Sequence, residues 1–411
     1  MYRSHLRTRM TGLLLLTTLQ VLSVGTVAWA QEPSHNHTTA PEQADGTWQW
    51  TLAGNVFVGA NLQERKFRDF HAVESQNWFM ATAVRATPAG SVRLSSMASL
   101  EPFTLRRLGS AQVFQTGETY RNAPLIDYQH PHDLVMELGA DLTRHVGVLR
   151  LTGGADLVGA PTLGPVAFMH RPSADENPQV PLSHHQTDAT HITHGVVRGG
   201  IGAGRWLAEA SWFHGREPDE DRLGVEFGRL DSGAIRVSWK AGGWSTQASV
   251  AALTQPEAVT PYDAKRVTAS VSYASPGEVP RLAWLALFGQ NREIHGNLEA
   301  YLIEATWRPG ADTAFYTRLE SVAKDILDVG FHPRGVFHRH RQSQIGAITL
   351  GYTRSLVALP GGPLSAGVDV TGYLVPGNLH EAYGTPVSIH VFVRHRLSWP
   401  RSSAPHVHGG P

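Results

Sequence analysis

Period-two alternation of apolar and polar side chains, held over segments of about ten to thirteen residues, restricts this chain more than any other feature. In one segment Leu134, Met136, Leu138, Ala140 and Leu142 make an apolar face, opposed by Glu137, Gly139, Asp141 and Thr143. In the next, Leu149, Leu151, Ala155 and Leu157 oppose Arg150, Thr152, Gly154 and Asp156. The pattern returns in 244–252, 267–273, 364–371 and 387–399. Helical spacing is rarely sustained. Beyond residue 30 the best apolar run, Leu282 to Phe288, is far short of the roughly 20 residues a spanning helix needs. Strands with one apolar and one polar face are expected, and a helical membrane protein is excluded.

A soluble β-sandwich also alternates, but its strands are shorter and its connections have no reason to alternate between short and long. Here Trp206, Trp212, Trp239, Trp244, Tyr273, Trp307, Tyr352 and Trp399 recur near strand ends, as in the aromatic girdles of a membrane barrel. Strands are expected near 48–60, 75–87, 91–101, 133–144, 147–158, 189–201, 204–214 and 230–241. Eight more follow near 244–254, 264–275, 281–290, 298–308, 311–323, 342–356, 363–375 and 386–399. Turns such as Pro88-Ala89-Gly90, Gly242-Gly243 and Pro309-Gly310 are short, while 61–74, 102–132, 159–188, 215–229 and 324–341 are long. The expected fold is all-β: a transmembrane antiparallel up-and-down β-barrel of about 16 strands, with short periplasmic turns and long extracellular loops.

The first thirty residues have the marks of a signal peptide. Arg3, Arg7 and Arg9 precede the apolar stretch Gly12 to Val27, and Ala28-Trp29-Ala30 supplies small residues for cleavage. An amino-terminal membrane anchor is the alternative. The expected organisation is a signal peptide at 1–30, a flexible His-containing periplasmic segment at 31–47, the outer-membrane barrel at 48–399 and a flexible tail at 400–411.

The whole chain has 35 Lys+Arg against 35 Asp+Glu; cleavage leaves 32 basic and 35 acidic groups, so no nucleic-acid partner is expected. With no cysteine, thiol catalysis, disulfides and thiolate metal sites are excluded. Charged residues of both signs take the polar phase of the strands, among them Arg93, Glu137, Asp141, Arg150, Asp156, Glu209, Arg236, Glu304, Arg318, Asp369 and Arg394. Pairing across the lumen is expected for most of them.

Histidine, present 22 times, is the residue type that can carry chemistry. Two loop sets are candidate metal sites: His130, His132 and Asp133, and His184, His185, His191 and His194. His338 and His340 belong to a third loop, and the terminal pairs His35/His37 and His406/His408 are flexible tracts. Imidazole suits copper, zinc and nickel, and these loops are placed where they could converge over the barrel mouth. The plain reading of each histidine is a polar side chain hydrogen-bonded to backbone or water.

No nucleophile elbow or phosphate loop is found, His380-Glu381 lacks the second histidine of a zinc protease helix, and Gly200-Ile201-Gly202-Ala203-Gly204 sits between two strand candidates. No enzyme, and no catalytic or cofactor-binding residue, is expected.

Over 48–399 the chain resembles the Gram-negative outer-membrane β-barrels of porin type. The strings Gln115-Thr116-Gly117-Glu118-Thr119-Tyr120, Gln129-His130-Pro131-His132-Asp133-Leu134 and Gly164-Pro165-Val166-Ala167-Phe168-Met169-His170-Arg171-Pro172 resemble those of an uncharacterised porin-like barrel family. That resemblance implies fold and a location in the cell outer membrane, and assigns no residue roles. The terminal-strand Trp399 resembles the aromatic that such barrels present to the barrel-assembly machinery, although a tail follows it here. The expected function is a channel passing small hydrophilic solutes or ions, linked to copper or zinc through the His-rich loops. A closed, loop-plugged scaffold and a hydrolase at the rim are the alternatives. Partners would be outer-membrane lipid, the assembly machinery, solutes or metal ions, and further copies in a homotrimer.

Overall fold

The computed structural model describes residues 46–399, apart from 122, 259–261, 278, 295 and 329–341. Nineteen strands lie in the described residues. The first eight are β1 (Trp48–Arg65), β2 (Arg68–Glu74), β3 (Asn77–Thr87), β4 (Gly90–Ala98), β5 (Ser110–Tyr120), β6 (Ala123–Gln129), β7 (Val135–Val146) and β8 (Leu149–Gly159). Next come β9 (Thr193–Ala203), β10 (Trp206–Phe213), β11 (Ser232–Ala241), β12 (Trp244–Leu253), β13 (Ala264–Ala274) and β14 (Leu282–Glu293). The last five are β15 (Gly296–Gly310), β16 (Thr313–Lys324), β17 (Ser343–Leu359), β18 (Gly362–Leu374) and β19 (Val387–Trp399).

Sixteen of these strands form one antiparallel ring. Each pairs with its neighbour in the order β1, β3, β4, β7, β8, β9 and onward to β19, and β19 closes on β1 from Leu52↔Trp399 to Glu64↔Val387. Closure leaves no edge strand, which is what a lipid environment demands of a sheet. The even strand count and long–short alternation of connections follow the sequence expectation. Gly242 and Gly243, at φ 55° and 86°, make the two-residue turn between β11 and β12, a backbone that only glycine adopts freely at both positions.

The alternation resolves as a wall with lipid outside and polar groups within. Leu142, Leu350 and Val391 are 56%, 63% and 54% exposed, whereas Asp141, Thr349 and His390 beside them are buried. Outward aromatics collect at the short-turn end: Trp244 packs on Tyr273 and Trp284, and Phe315 on Trp307 and Tyr352. No described helix is long and apolar enough to cross a membrane.

Three differences from the sequence expectation matter. Residues 61–74 are a hairpin, not a loose loop: β1 runs on to Arg65 and β2 folds back along it. Met136 is only 2% exposed and points inward, because register shifts flank it at Met97/Ala98 and Leu138/Gly139; a bulge reverses the face of the residues before it. Most important, the 99–134 connection carries α1 (Glu101–Thr104) and the separate hairpin β5–β6, and together with residues 160–192 it fills the barrel instead of standing over its mouth.

The segment 160–192, here called the plug, holds two 3-10 turns (Phe168–His170 and Ala189–His191) and α2 (His184–Thr187). Ala167, Phe168, Met169, Val180 and Ile192 pack with Trp78, Met80, Met97, Met136 and Val158 of the wall in one apolar core. The opposite side of the plug is polar. Asp175 meets Arg308 at 2.7 Å and Arg396 at 3.0 Å, and Glu176 meets Arg394 at 2.6 Å and Arg308 at 3.0 Å. A second core joins Val113 and Phe114 of β5 to Leu182 and to Leu379, Ala382 and Tyr383 around α3 (His380–Tyr383), with Phe114 stacked on Tyr383 at 4.2 Å.

Candidate functional site

The plug and the β5–β6 hairpin bring five of the candidate histidines together inside the barrel. Ring centroids lie 5.1 Å apart for His184 and His191, 5.5 Å for His132 and His191, 5.5 Å for His184 and His185, and 6.5 Å for His130 and His185. Phe168 stands beside His132, His184 and His191 at 5.7 to 6.4 Å. The wall sets this arrangement: α2 rests on β13, β14 and β15, and Asn291 of β14 donates to the His185 carbonyl at 3.2 Å.

The hydrogen bonds fix tautomers. His132 Nδ1 lies 2.8 Å from Glu101 Oε2 and His184 Nδ1 2.8 Å from Asp188 Oδ1, while His191 Nδ1 faces the Asp188 carbonyl at 2.9 Å. Each oxygen accepts, so each Nδ1 carries a proton. His132 Nε2 and His191 Nε2 are buried with no partner. A histidine held through Nδ1 by an oxygen is the arrangement that orients metal-binding imidazoles. Burial holds the His184 imidazole down to about 4, with His185 and His132 adding to the effect against the pull of Asp188. Burial, then His184 and His132, hold His191 well below its ordinary value. Both rings are neutral at neutral pH. The Asp188 carboxylate stays ionised because Arg171 and His184 outweigh its burial.

The other candidates are placed differently. Asp133 pairs with Arg222 at 3.2 Å, and His194 Nδ1 accepts from the Glu226 N–H at 2.9 Å while Nε2 faces Asp133 at 3.6 Å; both side chains are committed to this ion-pair network. His130 donates Nδ1 to the Pro131 carbonyl at 2.9 Å and sets Nε2 3.1 Å from Glu118. Burial lowers His130 well below its ordinary value, with Arg222 adding to that, and burial raises Glu118 against the pull of Arg222. His338 and His340, with the terminal pairs, lie outside the described residues.

Two residues that sequence reasoning missed complete the group. His185 Nδ1 lies 3.5 Å from Glu257 and 4.0 Å from Glu217, which come from the loops after β12 and β10. Among the described residues, His185, Glu217 and Glu257 are the set whose ligand atoms all lie within 4.8 Å of one another. The His132/His184/His191 trio does not reach that spacing.

Three recesses run along the barrel. An outer one of about 290 Å³ is lined by Phe103, Arg107, Tyr120, His130 and Arg222. A middle one of about 40 Å³ is lined by Glu101, Gln112, His130, His132, Met169 and Asp175. The inner vestibule, about 550 Å³, is lined by Met169 and Asp175 and by wall residues including Arg93, Asp141, Arg150, Arg198, Glu209 and Lys240. Inside it, Arg198 bridges Asp141 and Asp156, and Arg236 pairs with Glu209 at 2.9 Å.

No family profile and no curated protein matches the sequence. Solved structures match across most of the chain. An anion-selective porin from Comamonas acidovorans has a TM-score of 0.50 at 12% identity, covering 85% of this chain and 100% of that one. Salmonella typhi OmpF, in complex with daunomycin, has a TM-score of 0.53 at 11% identity, covering 85% and 97%. Pseudomonas putida OprB has a TM-score of 0.50 at 10% identity, covering 86% and 95%. The lipid-facing belt, the closed ring of sixteen strands and these likenesses agree: the chain has the porin-like barrel fold of the bacterial outer membrane.

Proposed function

We propose that this barrel is a constricted channel for small hydrophilic solutes or ions, narrowed where the plug and the β5–β6 hairpin meet. The observation that carries the reading is adjacency: His130 lines both the outer and middle recesses, and Met169 and Asp175 line both the middle recess and the inner vestibule. The three recesses are neighbours in series, each parted from the next by the side chains they share. The middle recess, at about 40 Å³, has room for a few water molecules, which sets the scale of what crosses without movement of the loops. Its histidines give the metal linkage a place, since His132 keeps an unpartnered Nε2 beside the conduit and copper or zinc bound there would obstruct it.

Planar-bilayer recording of the refolded mature chain is the test. Small, steady single-channel steps are expected, reduced by micromolar Cu²⁺ or Zn²⁺ and restored by a chelator. A silent bilayer, with heat-shifted gel migration showing an intact barrel, would overturn the channel and leave a closed scaffold. Steps that metal leaves unchanged would remove the metal link alone.

A further inference from the structure

Glu217 and Glu257 are an unusual pair for a barrel interior. Their side chains are 8% and 10% exposed, yet among the described residues no Arg or Lys nitrogen comes within ion-pair distance of either. Arg266, wholly buried, and Lys324 act on this pocket only at longer range. Two buried carboxylates without a direct cation are costly. Among the described residues the basic group in reach is His185, whose side chain is 4% exposed and whose Nδ1 has no hydrogen-bond partner; Glu217 Oε1 has none either.

The spacing suits ligands around an ion better than direct hydrogen bonds. Ligands about 2.0 to 2.2 Å from a tetrahedral metal stand roughly 3.4 Å from one another. Both separations are long for charge-assisted hydrogen bonds; His185–Glu257, at 3.5 Å, is close to that edge, and His185–Glu217, at 4.0 Å, needs a small closing movement to reach it. Backbone holds the donors in place. The Glu217 N–H donates to the Pro256 carbonyl at 2.8 Å, which docks the two glutamate loops on each other at the ligand positions. On the opposite side, Gly117 sits at φ 149° under the His185 ring, where a Cβ would fall 2.4 to 2.6 Å from three ring atoms. Only a residue without a side chain lets the imidazole lie there.

We propose that His185, Glu217 and Glu257 form a site for a divalent first-row transition ion, with zinc as the type case, that clasps the plug to the two outer loops. One imidazole and two carboxylates make a three-ligand set with a position left for water, a pattern zinc accepts and calcium, which takes six to eight oxygens, does not. The site does not depend on the barrel conducting.

The test is zinc titration by calorimetry of the full mature chain refolded in detergent, repeated with Co²⁺ for its visible spectrum. The doubly substituted Glu217→Gln/Glu257→Gln chain is compared with wild type. Histidines near both ends add weak sites to every variant, so the readout is the difference. The double variant is expected to lose one equivalent, or to weaken it at least tenfold, and to lose the cobalt band. His71→Ala, a half-exposed histidine of β2 in neither histidine set, is expected to keep both. Equal zinc stoichiometry and affinity in wild type and the double variant, or a cobalt band retained without the glutamates, would overturn the site. Heat-shifted migration checks that each variant is folded. Should the double variant not assemble, the isosteric single change Glu257→Gln carries the same comparison. A silent bilayer with this binding intact would refute the channel and leave the clasp standing.

Discussion

Glu176 shows how a single side chain holds the plug. Its carboxylate accepts from Arg394, Arg308 and the Thr353 hydroxyl, from three different strands of the wall. Burial by itself would raise this carboxyl, but Arg394, Arg308 and Arg396 outweigh it and hold it well below the usual carboxylate range. A depressed value contributes stability above the unfolded carboxyl's pKa, near 4.5, and that contribution is lost as pH falls from there toward the folded value. The docked plug is therefore expected to be insensitive to pH between 5 and 8, as far as Glu176 is concerned, and to loosen only in acid. Glu176→Gln removes the charge at every pH and leaves buried guanidinium groups short of a partner, a loss of about 3–5 kcal/mol. Limited chymotrypsin cleavage within the plug, after Phe168 or Leu182, measures it: faster cutting at neutral pH is expected in the variant. Unchanged cutting would show that the apolar side of the plug suffices.

At the scale of elements, what was legible divides by environment. Barrel strands were readable because each separates lipid from lumen, and Leu138, Leu142, Val391 and Val393 keep that period in the sequence. The β5–β6 hairpin and the plug have protein on every side. In β5 the nine residues from Ser110 to Glu118 are all buried, so no alternation is left to find. The histidines were recognised as a group, but their depth was not, because a loop folding inward and a loop standing outward have the same polar composition. Glu217 and Glu257 had no distinguishing pattern at all; a proline beside each, Pro218 and Pro256, was the nearest signal. Since the ring of strands closes without the plug, replacing residues 168–180 by a Gly/Ser linker of equal length is expected to leave heat-shifted migration intact and to raise single-channel conductance several-fold. Loss of assembly would show that the plug's apolar face, with Phe168, Met169 and Val180, is needed to form the wall.

For the whole molecule, the distribution of charge along the axis decides which ions would be favoured. The inner vestibule is lined by eight basic residues, Arg93, Arg150, Arg171, Arg198, Arg205, Arg236, Lys240 and Arg396, against six acidic ones, Glu137, Asp141, Asp156, Asp175, Asp188 and Glu209. Most of these neutralise one another in pairs: Arg198 with Asp141 and Asp156, Arg236 with Glu209, Arg171 with Asp188, and Arg396 with Asp175. Arg150 and Arg205 have no carboxylate partner among the described residues, and they stand at the short-turn end where solute would enter or leave. A low-dielectric wall focuses such unpaired charge into the opening. Under a KCl gradient the reversal potential is therefore expected to report chloride over potassium. Arg150→Gln with Arg205→Gln is expected to move it toward zero, while the barrel, whose strand pairing does not use these side chains, assembles as before. A preference for potassium would instead place selectivity at the middle recess, where Glu101 and Asp175 face the narrowest part of the path.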